Sequence, residues 1–570
     1  MNSQRNKHIS LFLLNYQLLA GLATVPRVAT AATLNIKNTS YPIPSGAYFV
    51  SPTGNESNSG RAANSPWSVA KAIASAPSGA TIVFRGGTYR DVRVALNKQL
   101  TLQAYPNEQP WLKGSTVVDG WVQEGSIWYK DAWNYSFPPN NQQIRGTDPK
   151  YPMAGHRDMV YINGVALKQV DSKASVAPGT FFVDAANKKL YVGSSPIGKT
   201  VEATALTEGI VLWNSAALGS IVRGLGLAHY ANQAIKIGVS SVTVENNTLT
   251  WNGLNGVLLT ATDAVLRGNI ISYNGRQGVS GVYAHRMLVE NNVLSHNNIE
   301  NFSKQWSAAG IKTIWTDGLV WRNNLVEHNN AIGLWIDEST TNSTVVNNVV
   351  RRNDSIGIMF EISHEAIIAS NLVHENAPAG IMVLNASSAR IYNNTLARNH
   401  ANLLIKETPR NNTKVNEIAD GITWITRNTV VKNNILWNSN GPTFFAPSCE
   451  LKEPSKNMIP VTDYNAYYRP EANQPQNFLI WGLGGGQCFN TFKTLAAFAS
   501  TTGLESNGFE ITNTNDPFFV NAQANDFRLK AGSPAIRRGE PLPADIANAI
   551  GVAAEVPLDL GALHNIEDEG

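Results

Sequence analysis

The chain has 570 residues, with 45 Lys or Arg, 42 Asp or Glu and only two Cys. That length exceeds the ~150 residues of an average domain and asks for several domains or one long repeat architecture. A net charge of +3 creates no long-range field that would gather a polyanion, so a nucleic-acid partner is not expected.

At the start, Arg5 and Lys7 precede an apolar run from Ile9 to Val25, and Ala29-Thr30-Ala31 stands before Ala32. This is the pattern of a secretory signal, so residues 1–31 read as a signal peptide and the protein as secreted, extracellular or periplasmic. Asn15 and Gln17 break the run, and no later stretch holds ~20 uninterrupted apolar residues, so no permanent membrane anchor is expected. The segment holds three basic residues and no acid; removing those three from 45 leaves 42 against 42 acidic residues. In an oxidising compartment Cys449 and Cys488 should form one disulfide.

Residues 40–114 read as an N-terminal cap and first coils. Tyr48-Phe49-Val50, Ala80-Thr81-Ile82-Val83-Phe84 and Gly87-Thr88-Tyr89 supply strands, and 68–76 supplies a short capping helix. Over 115–200 the pattern changes. Trp121, Trp128, Tyr129 and Trp133 appear, then Thr180-Phe181-Phe182-Val183-Asp184 and Leu190-Tyr191-Val192, which suggest an inserted small β-domain.

Residues 201–440 are self-similar. Asn247, Asn269, Asn292, Asn324, Asn348, Asn371 and Asn394 are spaced by 22, 23, 32, 24, 23 and 23 residues. Between them polar and apolar residues alternate, as in Val242-Thr243-Val244-Glu245, with no room for a helix of three turns. A glycine recurs at Gly256, Gly278, Gly310, Gly333, Gly357 and Gly380, with apolar residues at +1 and mostly at +3. Such a unit cannot bury its own apolar face, but coils stacked ~4.8 Å apart can. The expected fold is all-β: a right-handed single-stranded parallel β-helix with an inserted small β-domain and a C-terminal cap extension. Asn residues at the bends should pair with those of the next coil. Residues 441–570, where the period fails, read as C-terminal coils and cap.

Numbering each strand from its glycine puts +1 and +3 in the core and +2 and +4 outside. Two acids then stand at +4 of adjacent coils, Asp337 after Gly333 and Glu361 after Gly357. The other coils offer Thr260, Val282, Ile314, Leu384 and Lys406 there. Two carboxylates one rung apart repel, which raises the pKa of one of them. Their spacing matches the ~5–5.5 Å of a retaining glycosidase. Trp335, at +2 beside them, offers an exposed aromatic face for a sugar ring. Lys312 lies one coil before; His364, His328 and His374 fall near turns, where a solvated imidazole is the plain expectation. The insertions around Ile299 to Trp306 and from Thr408 to Arg427 grow from nearby coils, and Trp306, Trp315 and Trp424 could line a cleft.

Gly333-Leu334-Trp335-Ile336-Asp337, followed by Glu361-Ile362-Ser363-His364, resembles the active-site coils of glycoside hydrolase family 120, which are β-helix β-xylosidases. Ala309-Gly310-Ile311-Lys312 is similar to the preceding coil, and the likeness covers about 60 residues. It implies Asp337 as nucleophile, Glu361 as acid/base and His364 as a substrate-site histidine. Glu338 departs from the family, which has an aromatic residue there, and this bears on sugar specificity more than on the chemistry. A wider resemblance, to the pectin-lyase-like β-helix superfamily, covers most of the chain and specifies no reaction.

The reading that follows is a secreted glycoside hydrolase acting on a polysaccharide or oligosaccharide, with Asp337 and Glu361 catalytic, Trp335, Lys312, His364 and Glu338 binding substrate, and no cofactor. A polysaccharide lyase or uronate epimerase is the alternative. Asp337, Glu338 and Glu361 would then hold Ca²⁺, and Lys312 or Lys406 would abstract a proton. A third reading is a non-catalytic carbohydrate-binding protein in which the Trp-rich insertion does the binding.

Overall fold

The structure, a computed structural model, describes residues 35–554 and 556–562; the signal-peptide reading of residues 1–31 lies outside them. Each coil is built from three short strands. In one coil these are Thr243–Glu245, Thr248–Thr250 and Asn255–Leu259, and the chain then returns to Val265–Arg267 beneath the first. Repetition builds three 13-stranded sheets, sheet one from Tyr48–Val50 to Val461–Asp463, sheet two from Gly87–Arg90 to Phe509–Thr512, and sheet three from Val94–Leu96 to Asn490–Phe492.

The Asn pairs turn sheet one into sheet two. The first member takes a left-handed backbone, with φ of 54° at Asn246, 57° at Asn291 and 57° at Asn347, a conformation Asn tolerates better than other non-glycine residues. The second member points inward. Asn269 Nδ2 donates to Asn292 Oδ1 at 2.9 Å and to the Val244 carbonyl at 2.9 Å, and the pattern runs from Asn247 to Asn465. A second ladder, which the sequence period did not reveal, occupies the corner between sheets two and three. It runs through Asn252, Asn274, Asn297, Asn329, Asn353, Asn376 and Asn399. Both ladders satisfy backbone groups that the turns would otherwise leave unpaired in the core.

The +1 and +3 residues, among them Leu334, Ile336, Ile358 and Phe360, are fully buried in one core that runs the length of the coils. Ser68 caps the helix Val69–Ser75 with its hydroxyl, which accepts from the Lys71 amide at 3.2 Å. The chain leaves the coil after Pro110–Lys113, a strand of sheet two, and residues 115–204 form two small sheets of four and five strands. Trp133 is buried in their shared core, and Trp121 and Trp128 pack against it. Trp133 is therefore a core residue, while Trp121 and Trp128 stay partly exposed.

The coils do not stop near residue 440. Strands Phe444–Ala446, Val461–Asp463, Ala466–Arg469 and Leu479–Trp481 continue all three sheets in parallel. Antiparallel Asn490–Phe492 then ends sheet three. The period failed there because the connecting loops lengthen while the strands keep their register. Cys449 and Cys488 form a disulfide in this region. The remaining chain runs back along the outside, where Leu560, Ala562 and Phe527 pack on sheet two and Leu542, Ile546 and Ala547 on sheet one. Among the described residues, the apolar cluster on the outer face of sheet three includes none from this tail.

Candidate active site on sheet three

On the outer face of sheet three the register aligns side chains in columns. Lys312 pairs with Trp335, Trp335 with Met359, Met359 with Met382, and Met382 with Leu404. In the next column Glu361 pairs with Leu384 and Leu384 with Lys406. Ile336 pairs with Phe360, so Asp337 and Glu361 follow paired residues on adjacent strands, both outside the core. Parallel strands lie ~4.8 Å apart, which sets the scale of the separation.

Each acid is met by its own cation. Lys312 Nζ lies 2.8 Å from Asp337 Oδ2, and Arg410 lies 2.7 Å from Glu361 Oε1. The ammonium also donates to the Trp306 carbonyl at 2.8 Å and sits 3.3 Å above the centre of the Trp335 ring. Trp335 is not an exposed platform as expected. It is 2% exposed, its Nε1 donates to Glu361 Oε2 at 3.1 Å, and the apolar column of Met359, Met382 and Leu404 continues beside it. A tryptophan in this position orients the acid; the lysine above occupies the face a sugar would need.

Burial raises the Glu361 carboxyl above its ordinary value, the Asp337 charge raises it further, and Arg410 and Lys312 offset part of this. The Asp337 carboxylate is fixed in addition by the amide of Glu338, which donates to Oδ1 at 2.8 Å. Both acids hold a salt bridge, and Glu361 is in addition pushed toward its neutral form. Burial also lowers the Lys406 ammonium, with Arg410 adding to the effect.

The long insertion supplies Arg410, which sequence reasoning missed. Asn385, buried at the end of the next strand of sheet three, holds that loop by donating to Glu407 Oε1 at 2.8 Å and to the Thr408 and Trp424 carbonyls at 2.8 and 3.0 Å. An arginine on the longer of the two insertions near two acids was the available signal. The other expected residues lie further round. Glu338 faces Lys414 at 3.4 Å. His364 is on sheet one, with Nδ1 2.8 Å from Ser387 Oγ, in a groove beside the acids and not between them. Among the tryptophans thought to line a cleft, Trp306 is exposed and Trp424 is buried against Ile362 and Ile422. His374 is fully buried and its pKa is lowered to about 4 by burial, because its turn is covered by Phe527 of the C-terminal tail.

A Ca²⁺ site does not fit these donors. Asp337, Glu361 and Glu338 diverge to Lys312, Arg410 and Lys414, and among the described residues no three His, Cys, Asp or Glu side chains gather as metal ligands. Hard divalent cations need several converging oxygens.

Comparison with known proteins agrees with the architecture. The family described as right handed beta helix region matches residues 208–302 and 235–396. The solved structure of XylC with xylose superposes with a TM-score of 0.57 at 14% identity, covering 83% of this chain and 86% of that one. A chain described as a glycoside hydrolase gives 0.48 at 12% identity over 64% and 94%. Pectate lyase Pel9A gives 0.41 at 13% over 91% and 97%. No curated protein matches the sequence. By fold, the chain is a right-handed parallel β-helix.

Proposed function

We propose that the protein is a carbohydrate-active enzyme, a retaining glycoside hydrolase in which Asp337 is the nucleophile and Glu361 the acid/base. The observation that carries this is the pair itself: two carboxylates one rung apart, Asp337 salt-bridged at 2.8 Å to Lys312 and Glu361 at 2.7 Å to Arg410, with Glu361 raised by burial and by its neighbour's charge. A protonated Glu361 gives its proton to the glycosidic oxygen as Asp337 attacks the anomeric carbon. Ester formation removes the Asp337 charge. The largest neighbouring charge holding the Glu361 pKa up is then gone, so Glu361 becomes the base that activates water for the second step. Trp335 and Arg410 hold Glu361 through both steps. No metal is proposed. XylC was determined with xylose, so xylosides are the first substrates to try.

The test is hydrolysis of aryl glycosides and of oligosaccharides by two variants. Asp337→Asn should cut both by roughly 10⁴-fold or more. Glu361→Gln should cut oligosaccharide hydrolysis by ~10²–10⁴-fold while leaving the first step on activated aryl glycosides largely intact. If both variants match the wild type on a substrate it degrades, the site is elsewhere. The lyase or epimerase reading keeps one supporting observation, the lowered ammonium of buried Lys406. It predicts an ultraviolet-absorbing unsaturated product, or inversion at a uronate carbon, and a larger loss from Lys406→Met than from Glu361→Gln.

A further inference from the structure

Beside the carboxylates, at the corner where sheet three turns into sheet one, lies a groove of about 660 Å³ that the proposed chemistry does not use. Its floor is Thr341, Asn342 and His364, and its far wall is the insertion carrying Lys414, Glu417 and Asp420. Two aromatic residues on consecutive coils form the near wall. Tyr283 and Trp315 stack at 5.1 Å with 23° between their planes, and Tyr283 is 54% exposed. With one face against Trp315, the exposure of Tyr283 falls on its other face and its edge, where a neutral sugar ring can stack.

The groove begins at Ser339, two residues along the chain from Asp337. The Trp315 amide donates to the Glu338 carbonyl at 2.7 Å, and the Glu338 amide donates to Asp337 Oδ1 at 2.8 Å. Lys414 bridges the two regions, pairing with Glu338 and, at 2.8 Å, with Glu417. The lining has four carboxylates, Asp317, Glu365, Glu417 and Asp420, against a single lysine. A polyuronate would be repelled from such a surface, while the hydroxyls of a neutral glycan find acceptors on every side.

We propose that this groove binds the neutral oligosaccharide that continues the substrate beyond the bond cleaved at Asp337 and Glu361, with Tyr283 as the stacking platform. The proposal rests on the carboxylate reading, and its test is arranged to fail separately. Full-length Asp337→Asn protein is titrated calorimetrically with neutral xylo-, cello- and arabino-oligosaccharides of two to six units, alone and with Tyr283→Ala or Tyr283→Phe added. The expected result is affinity that rises with chain length, a loss of about tenfold with Tyr283→Ala, and retention with Tyr283→Phe, since stacking needs the ring and not the hydroxyl. Tyr283→Ala at a solvent-exposed position should leave the melting temperature unchanged, which a thermal scan checks. Affinity unaltered by Tyr283→Ala overturns the groove and leaves the carboxylate assignment standing. Binding of no neutral glycan, or preference for oligogalacturonate or alginate fragments, overturns it as well. Persistent hydrolysis by Asp337→Asn would instead sink the carboxylate assignment.

Discussion

In the column of asparagines that turns sheet one into sheet two, each amide donates to the next one along; in the column of Asp337 and Glu361, neither member can donate to the other while both are ionised. Both are polar groups stacked one rung apart on the same scaffold. An amide carries donor and acceptor together, so Asn348, Asn371 and Asn394 satisfy each other at 3.0 Å and the column extends as far as the coils do. Ionised carboxylates only accept. Stacking two of them requires cations from outside the column, and here these come from a different rung, Lys312, and from a loop, Arg410. A repeated polar column that satisfies itself is architecture. One that needs imported charge, and holds one member away from its ordinary ionisation, is where chemistry is to be sought.

Breaking the self-satisfying column should cost the most stability. Asn371 is fully buried and accepts from the Asn348 amide and side chain at 3.0 Å. It donates to the Val345 carbonyl at 2.9 Å and to Asn394 Oδ1 at 3.0 Å. Asn371→Ala leaves several of these groups unpaired in a dry core, so a loss of about 3–5 kcal/mol is expected. Urea denaturation of wild type and variant measures it. A loss below ~1 kcal/mol would mean that water enters the turn and the ladder is decoration.

The opposite sign is expected in the carboxylate column. Because the folded-state pKa of Glu361 is raised above the ordinary carboxylate value of 4.5, the stability it contributes is fully present below that value. It is lost as pH rises through the raised pKa, where the folded protein must carry a buried charge. Glu361→Gln removes this dependence, so above neutral pH the variant should match or exceed the wild type in melting temperature while losing activity. Arg410, about one third exposed, can turn to water when its partner is neutral. Thermal scans from pH 4 to 9 decide this, and a variant destabilised increasingly with rising pH would contradict it.

The architecture was legible in the sequence because a β-helix repeats its own constraints. From Asn247 onward the coils place Asn at one corner and apolar residues at +1 and +3, so the period, the core positions and the adjacent-rung acids could all be read from residues such as Gly333 and Gly357. What could not be read was whatever comes from outside the coil. Trp335 looked exposed because +2 faces outward; it is covered because Lys312 folds over it and its indole reaches Glu361. Arg410 arrives on an insertion with no period. His374 looked solvated at its turn, and only the returning C-terminal tail, far off in sequence, buries it.

The smallest expected effect is also the sharpest test of the imported charges, because the two cations serve different acids. Lys312 pairs with Asp337, whose ionised form must attack; Arg410 pairs with Glu361, whose protonated form must donate. In a pH profile of kcat/KM for a retaining glycosidase, the acidic limb reports ionisation of the nucleophile and the alkaline limb reports loss of the acid's proton. Arg410 lowers the Glu361 pKa, so Arg410→Met should let it rise further and move the alkaline limb to higher pH, leaving the acidic limb in place. Lys312→Met also removes a charge that lowers the Glu361 pKa, so it should move the alkaline limb in the same direction. Its effect on the alkaline limb should be smaller, since Lys312 is the least of the influences on Glu361. Arg410 is partly hydrated, so solvent screening keeps its shift modest. Arg410→Met moving the acidic limb in place of the alkaline one would exchange the roles of the two carboxylates, and an alkaline limb unmoved in both variants would show that the cations hold the acids in place without tuning them.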